Sequence, residues 1–367
     1  MIYLDHNAGS PPAPEAASAL QRVLAQGGGN PSSVHGPGRA ARAELERARD
    51  SVARAIGAVA GSIVFTSGAT ESVHLAIRGV RPAGAIVATN VEHPAVEGAL
   101  AACGREIRRL DARRLEDALD RSLEGAALAT MPLGGHETGD LLPVREVADR
   151  CRARGVLVHA DAAQALGRVP LDVRALGVDL LSISGHKCGG LPGSGALWVR
   201  EGLDLEPVLG GGGQERGRRG GTEAFAVQAA FGAACEGLTP DAVERRAAAM
   251  GRLRDGLERE ILRTVAGVAV NGLGGPRLPN TLSLSLDGID GHELVIALDL
   301  RGFAVSSGSA CASGLREPSP VLRALYPDQP WRAAGALRVS LGPSTRPEEV
   351  HDFARALRDS ADLLRRT

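Results

Sequence analysis

Lysine is all but missing from this chain: of its 42 basic residues, Lys187 alone is lysine and the rest are arginine. Aromatic residues are scarce too, at 2%, so Ala, Leu, Val and Ile must fill the interior. The five cysteines, Cys103, Cys151, Cys188, Cys235 and Cys311, form no CxxC pair and no Cys/His cluster at zinc spacing. An odd, unpatterned set argues against a disulfide framework and against a structural metal, and it suits a reducing compartment. Four of them read as small core hydrophobes or incidental thiols; Cys311 does not, as argued below. Net charge is −1 and no segment is strongly basic, which speaks against nucleic-acid binding through phosphates. No apolar run is long enough to span a bilayer, and Met1-Ile2-Tyr3-Leu4-Asp5-His6 carries no charged leader before such a run. These absences predict a cytoplasmic protein with neither a membrane nor a nucleic-acid partner.

What is present fits two domains: 37.8 kDa of chain, 44% of it hydrophobic, can build two cores. From about residue 38 to 200, helical and strand-like segments alternate. Arg39 to Ile56 has helical periodicity. Ile63 to Thr66, Ala85 to Thr89, Ala126 to Met131, Val156 to Ala160, Val178 to Ile183 and Ala196 to Val199 are short apolar runs bounded by Gly, Asp or Ser. Pro94 to Ala102 and Val144 to Arg154 read as helices between them. This order predicts an α/β fold with a mostly parallel sheet, whose ligands bind beyond the carboxyl ends of the strands. The glycine-rich stretch Gly210 to Thr222 reads as a long mobile loop. Beyond it the sequence predicts a helical region to about residue 265, a strand at Thr281 to Leu286, a helix near His292 to Arg301, a strand at Ala336 to Leu341 and a last helix from Pro347. That tail reads as a smaller α+β domain. No internal repeat or low-complexity linker is visible.

A sequence that writes nearly every positive charge as arginine keeps lysine at one place. An amine can become a nucleophile and form a Schiff base, whereas guanidinium stays protonated and unreactive. Lys187 follows the apolar run Val178 to Ile183 directly, in Ser184-Gly185-His186-Lys187, where a buried strand should end. Thr66-Ser67-Gly68-Ala69-Thr70-Glu71 follows another run and opens a helix, a natural phosphate cradle, although Thr70 could equally be an N-cap. Asp161 ends a third run, where a carboxylate could hold a proton on a heteroaromatic nitrogen or merely cap the next segment. Ser184 and His186 could add phosphate donors; His186 could also be a plain turn histidine. A Schiff-base lysine, an acidic partner for a pyridinium nitrogen and anion donors are the combined needs of pyridoxal 5′-phosphate.

The motifs then become specific. Tyr3-Leu4-Asp5-His6-Asn7-Ala8, Asn30 to His35, Phe65 to Glu71, Glu92-His93-Pro94, Ser184 to Lys187, Arg219 to Thr222 and Val305 to Gly314 follow one another along nearly the whole chain. The chain resembles the cysteine desulfurases of the nitrogen-fixation and iron–sulfur housekeeping group, within the class V aminotransferase-like superfamily. The resemblance implies the fold type I architecture of pyridoxal-phosphate enzymes. A large domain over 15–245 would hold a mostly parallel seven-stranded sheet, and 1–14 with 246–367 would form a small α+β domain. It implies that Lys187 binds the cofactor, Asp161 pairs with the pyridine nitrogen, Gln164 lies near the phenolic oxygen and His93 stacks on the ring. His93 can also be read as an ordinary residue before proline. Ala69, Thr70, Ser184 and His186 would hold the phosphate, with Thr222 reaching across from a second subunit of a homodimer. Arg338, together with His136 and Asn7, would hold the substrate. Cys311 would take the sulfur of L-cysteine as a persulfide, leaving L-alanine, and pass it to a protein acceptor such as a scaffold or sulfur carrier. Gly and Ser around Cys311 predict a loop that leaves the thiol uncovered, and its ordinary pKa near ~8.5 means the site must favour the thiolate.

The chain departs from that pattern at four places. His136, which the resemblance makes a cofactor-binding as well as a substrate-binding residue, stands where the family usually has an asparagine contacting the cofactor oxygen and the substrate, and it is larger and titratable. Val73-His74 replaces a pair that usually bears an amide. Cys188 follows the lysine where a bulky residue is common, and Gly9-Ser10 stand where two threonines are common. These changes leave cofactor binding nearly untouched and leave the substrate and the fate of its Cβ bond open. A selenocysteine lyase, another C–S lyase, a specialised-metabolism enzyme and a non-catalytic module that binds a sulfur acceptor are the alternatives.

Overall fold

The chain folds into two compact units, the larger of which is Ser10–Leu133 with Leu142–Val243. The computed structural model describes residues 1–308 and 317–366. The first strand, β1 (Ile2–Tyr3), belongs to the second unit and is taken up with it. The larger unit contains β2 (Ile63–Thr66), β3 (Ala85–Thr89), β4 (Ile107–Leu110), β5 (Ala126–Pro132), β6 (Leu157–Asp161), β7 (Leu180–Ser184) and β8 (Gly195–Val199). They pair in the order β2-β8-β7-β6-β5-β3-β4. The run from β4 to β7 is parallel, while β8 is antiparallel to both β7 and β2. Every residue of β2, β3, β7 and β8 is buried, as a sheet covered on both faces requires. This is the mostly parallel seven-stranded sheet anticipated above. Strand β4 was not anticipated, because Arg108 and Arg109 break its apolar run and only Leu110 is buried.

The helix Gly36–Ala55 turns Ala41, Leu45, Ala48 and Val52 inward, a helical repeat of one face. It packs on the helix Phe225–Glu236. The approach is close enough that a Cβ on Gly232 would overlap the backbone of Ala48. Small residues thus do by proximity what bulky aromatics do elsewhere. The helical region after the glycine-rich stretch is two helices, Phe225–Glu236 and Pro240–Thr264, broken at Gly237 to Thr239.

The glycine-rich stretch itself differs from expectation. It contains a 3-10 turn at Gln214–Gly217 with Glu215 at φ 47° and Arg216 at φ 58°, conformations that side chains rarely adopt. The Glu215 carboxylate holds them. It accepts from Arg49 Nη1 at 2.7 Å and Nη2 at 2.8 Å, and from the Phe65 amide at 2.9 Å. Arg219 adds a second anchor on Glu71 at 2.8 Å. A stretch that reads as loose is fastened to β2 and to the helix after it.

The second unit comprises Met1–Gly9, Gly134–Leu141 and the chain from Glu244 onward. Strands β9 (Val268–Val270), β10 (Thr281–Leu286) and β12 (Ala336–Ser340) form an antiparallel sheet in the order β12-β10-β9. Strand β11 (Phe303–Ala304) pairs in parallel with β1. Its core joins Leu282, Leu284, Leu337 and Val339 to Leu294, Leu298, Phe353 and Leu357, the last four from the helices Gly291–Asp299 and Pro347–Leu364. Phe303 and Phe353 meet edge to face with centroids 5.6 Å apart, a favoured aromatic geometry.

Candidate active site

In the larger unit the chain leaves β3 for β4 on one side and then crosses to β5 on the other. The polar residues singled out above lie just beyond the carboxyl ends of this sheet's strands, where such a reversal opens a crevice. Strand β7 ends at Ser184, and the 3-10 turn Gly185–Lys187 follows at once. The turn is held from several directions. Ser184 Oγ and His186 Nδ1 lie 2.9 Å apart, and the Cys188 amide donates back to the Gly185 carbonyl at 3.1 Å. Ser10 donates its amide to the His186 carbonyl at 2.8 Å and its hydroxyl to the Lys187 carbonyl at 3.0 Å. Residue 185 must be glycine, since a Cβ there would overlap Ser194 Oγ and press on the Phe231 ring. Ser10, noted in the sequence only as a departure, therefore fastens the lysine turn.

One strand over, Asp161 ends β6 and is 7% exposed. Its Oδ1 accepts the Ala163 amide at 2.9 Å, so it does cap the segment that follows. Its strand is braced by His159, whose Nδ1 meets Thr130 Oγ1 and whose Nε2 meets Ser182 Oγ, both at 2.8 Å. Burial holds the pKa of His159 down at about 3, so the ring is neutral and links β5, β6 and β7. Gln164 is buried and its Oε1 accepts from Arg168.

The helix Ala69–Gly79 begins at Gly68, which caps it without a side-chain hydrogen bond. Thr70 is consequently not the N-cap; it lies exposed in the first turn. An N-terminus without a side-chain cap is suited to an anion, and a Cβ built on Gly68 would meet nothing within 4 Å. His93 is the N-cap of the helix Pro94–Ala101, with Nδ1 accepting the Ala95 amide at 3.0 Å. That acceptor role places the ring proton on Nε2. Beside it Glu92 is buried, and Oε1 accepts from the Thr89 amide at 3.1 Å and Thr89 Oγ1 at 2.7 Å. Thr222 is exposed in the loop before the helix Phe225–Glu236. Lys187, Asp161, His93, Gln164, Ser184, His186, Ala69 and Thr70 thus belong to one unit and lie at the strand ends of one sheet or within a few residues after them. An amine, a carboxylate and an open helix N-terminus in this frame are a donor set that fits pyridoxal 5′-phosphate.

The second unit carries the other assigned residues. Arg338 on β12 is 3% exposed; Nη2 donates to Asp5 Oδ1 at 2.9 Å and Nη1 to the His136 carbonyl at 2.8 Å. Its Nε is buried without a partner among the described residues. Asp5, inside the motif Tyr3 to Ala8 yet not assigned a role from sequence, orients that guanidinium. His136 is buried, with Nε2 3.6 Å from Glu137 Oε1. Asn7 is engaged within its own unit. Its Nδ2 donates to Thr281 Oγ1 and its Oδ1 accepts from Asn280, each at 3.0 Å. Cys311 lies outside the described residues.

Known proteins resemble the chain along nearly its whole length. The family model described as "Aminotransferase class-V" matches residues 2–353. A "Cysteine desulfurase" of Enterobacter agglomerans is 40% identical over 99% of this chain and 93% of its own length. Another of that name from Cereibacter sphaeroides is 40% identical over 99% and 96%. The solved structure of a NifS-like protein from Rickettsia africae superposes with a TM-score of 0.89 at 28% identity, covering 99% of each chain.

Proposed function

This chain belongs to the aminotransferase class-V family, and from that premise we propose that it is a cysteine desulfurase that moves the sulfur of L-cysteine onto Cys311. Its cofactor is pyridoxal 5′-phosphate. Lys187 would hold it covalently through Nζ, and Asp161 would keep a proton on its ring nitrogen. Ser184, His186 and the first turn at Ala69 and Thr70 would take the phosphate, and Thr222 of a second copy would complete that site in a homodimer. His93 would lie against the ring and Gln164 near the phenolic oxygen. When bound, the group supplies an electron sink for the bonds of the substrate α-carbon.

The remaining work falls to the chain's own groups. Arg338 binds and orients the substrate carboxylate, its guanidinium steadied by Asp5. Asn7 acts through the buried network with Asn280 and Thr281 that shapes this end of β10. His136 faces the substrate where an amide is usual. The Lys187 amine accepts the α-proton and returns it during formation of alanine. Cys311 Sγ attacks the substrate sulfur: an S–S bond forms, the Cβ–S bond breaks, and alanine leaves. The persulfide then passes to a protein acceptor, in a cytoplasmic setting that free thiols suit.

The observation that carries this reading is the place of the chain's one lysine: at the end of β7, one strand from Asp161, on a turn tied down from both sides. The test is to incubate purified protein with L-cysteine and follow alanine, sulfide and persulfide, with selenocysteine as the competing substrate. Lys187→Arg should abolish turnover and cofactor absorbance together. Cys311→Ala should abolish persulfide and cut desulfuration at least a hundredfold, on the order of ~3 kcal/mol in the barrier. Full turnover in Cys311→Ala would replace this reading with a direct C–S or C–Se lyase.

A further inference from the structure

Glu137 has no part in the reaction above, yet it stands beside a residue that does. It belongs to the second unit, and its side chain is 2% exposed. A carboxylate so enclosed is costly unless it is paired and hydrogen-bonded. Here each oxygen has its own partner. Oε1 lies 3.6 Å from His136 Nε2, at ion-pair distance, and Oε2 accepts from the Ser319 hydroxyl. Ser319 is itself fixed, because its Oγ accepts the Leu322 amide at 2.9 Å as the cap of the helix Pro320–Leu325. Gly308 closes another side, where a Cβ would stand 3.1 Å from Glu137 Oε2. Among the described residues, His136 is the basic group paired with this carboxylate. We propose that Glu137 is a positioning residue: braced by Ser319, it holds Nε2 of the His136 ring and so fixes the edge which that ring turns to the substrate.

The backbone around His136 makes the position of its ring matter. The His136 carbonyl accepts from Arg338 Nη1 at 2.8 Å, while Asp5 holds Nη2 of the same guanidinium. Arg338 is also tied to Ser306 by two backbone hydrogen bonds, of 2.7 and 3.2 Å. Residue 136 thus supports the carboxylate clamp through its main chain and presents an imidazole through its side chain. Its own segment is stiff. The Gly135 amide donates to the Asp140 carbonyl at 2.8 Å, and the Gly139 amide to the Gly135 carbonyl at 3.0 Å. The freedom left is rotation about the His136 side-chain bonds, which fall into a few staggered wells. A carboxylate against one nitrogen selects among those wells. In the neutral ring it also favours the proton on Nε2, with Nδ1 as the acceptor. The amide usual at this position has no ring to hold, so the role belongs to the histidine of this chain.

The inference rests on the reading that His136 faces the substrate, and the test separates the two. The full chain is prepared as holoprotein with heavy-nitrogen-labelled histidine, and the His136 ring signals in the magnetic resonance spectrum are assigned by their loss in His136→Asn. The wild type should show one set of signals, with the proton on Nε2. Glu137→Gln keeps the volume and an oxygen for Ser319 but can turn an amide donor to the ring, so the His136 signals should move towards the other tautomer or a mixture. The same change should raise KM for L-cysteine about tenfold while kcat stays within about twofold. In the His136→Asn background it should shift KM by less than about twofold, because the partner it acts through is gone. A KM change of equal size in both backgrounds would overturn the inference, since a merely structural role acts whichever side chain stands at 136. His136 signals unmoved by Glu137→Gln would overturn it as well. If that variant does not fold, Glu137→Asp, which draws the charge back from the ring, is read in the same way. A wild type that consumes no L-cysteine would sink the desulfurase reading, and the ring signals would still decide whether Glu137 holds His136.

Discussion

Glu92 concentrates the electrostatics of the site in one side chain. Its carboxyl is fully enclosed, Thr89 satisfies Oε1 twice, and Oε2 has no partner among the described residues. Burial pushes its pKa from the usual 4.5 to about 8; the Thr89 hydrogen bonds oppose that rise, and the negative charge of Asp161 adds to it. The carboxyl is then largely protonated at neutral pH, which spares the enclosed site a second negative charge beside Asp161. The linkage has a definite sign. In the unfolded chain the group ionises near 4.5, so the folded state holds an extra proton between that pH and about 8. The stability it contributes is complete below pH 4.5 and is lost as pH rises through 8. Glu92→Gln removes the titration while keeping an oxygen for Thr89. Its melting temperature should therefore gain on that of the wild type as pH goes from 5 to 8.5. A difference that stays constant over that range would mean the carboxyl ionises as it does in water.

At the scale of elements, the parallel strands depend on a neutral histidine. His159 on β6 bridges Thr130 on β5 to Ser182 on β7, so three strand ends near the lysine turn share one ring. With its pKa held near 3 by burial, the stability it contributes is intact above the ordinary value of about 6.5 and is lost as pH falls from there towards 3. The unfolding free energy of the wild type should drop between pH 6 and 4.5 by up to about 1.4 kcal/mol per pH unit more than that of His159→Gln, as read from denaturant titrations. Parallel pH curves for the two proteins would show that His159 becomes protonated without unfolding. The same elements show what sequence can convey. β2 and β3 fall where their apolar runs place them, because burial on both faces writes itself as uninterrupted apolar residues, and β10 falls where the alternation of leucine with threonine and serine places it. β4 and the half-buried β9 were missed, since Arg108 and Arg109 in one and partial exposure in the other erase that signal. Lys187 and Asp161 were legible because each sits directly after an apolar run. The Glu215 clasp on Arg49 and the Ser10 tie were not, because no local pattern records a partner far away in sequence.

On the scale of the whole molecule, aromatic scarcity sets how each unit is stabilised. The larger unit relies on close approach of small residues, as at Gly232 against Ala48. The second unit spends two of the chain's five phenylalanines on one edge-to-face pair. Phe353 is completely buried there among the leucines of β10 and β12, so truncation removes both transfer energy and a packing partner. Phe353→Ala should cost about 3–5 kcal/mol. Each unit has a hydrophobic core of its own, and the loss should register first where Phe353 packs, because native proteins open in cooperative pieces. Hydrogen exchange followed by mass spectrometry should show protection falling over Thr281–Leu286 and Ala336–Ser340. Protection over Ala126–Pro132 and Leu157–Asp161 should stay near the wild-type level. Equal loss in both sheets would mean that the two cores unfold as one cooperative body, and Arg338 would then owe its position to the whole chain and not to the sheet that carries it.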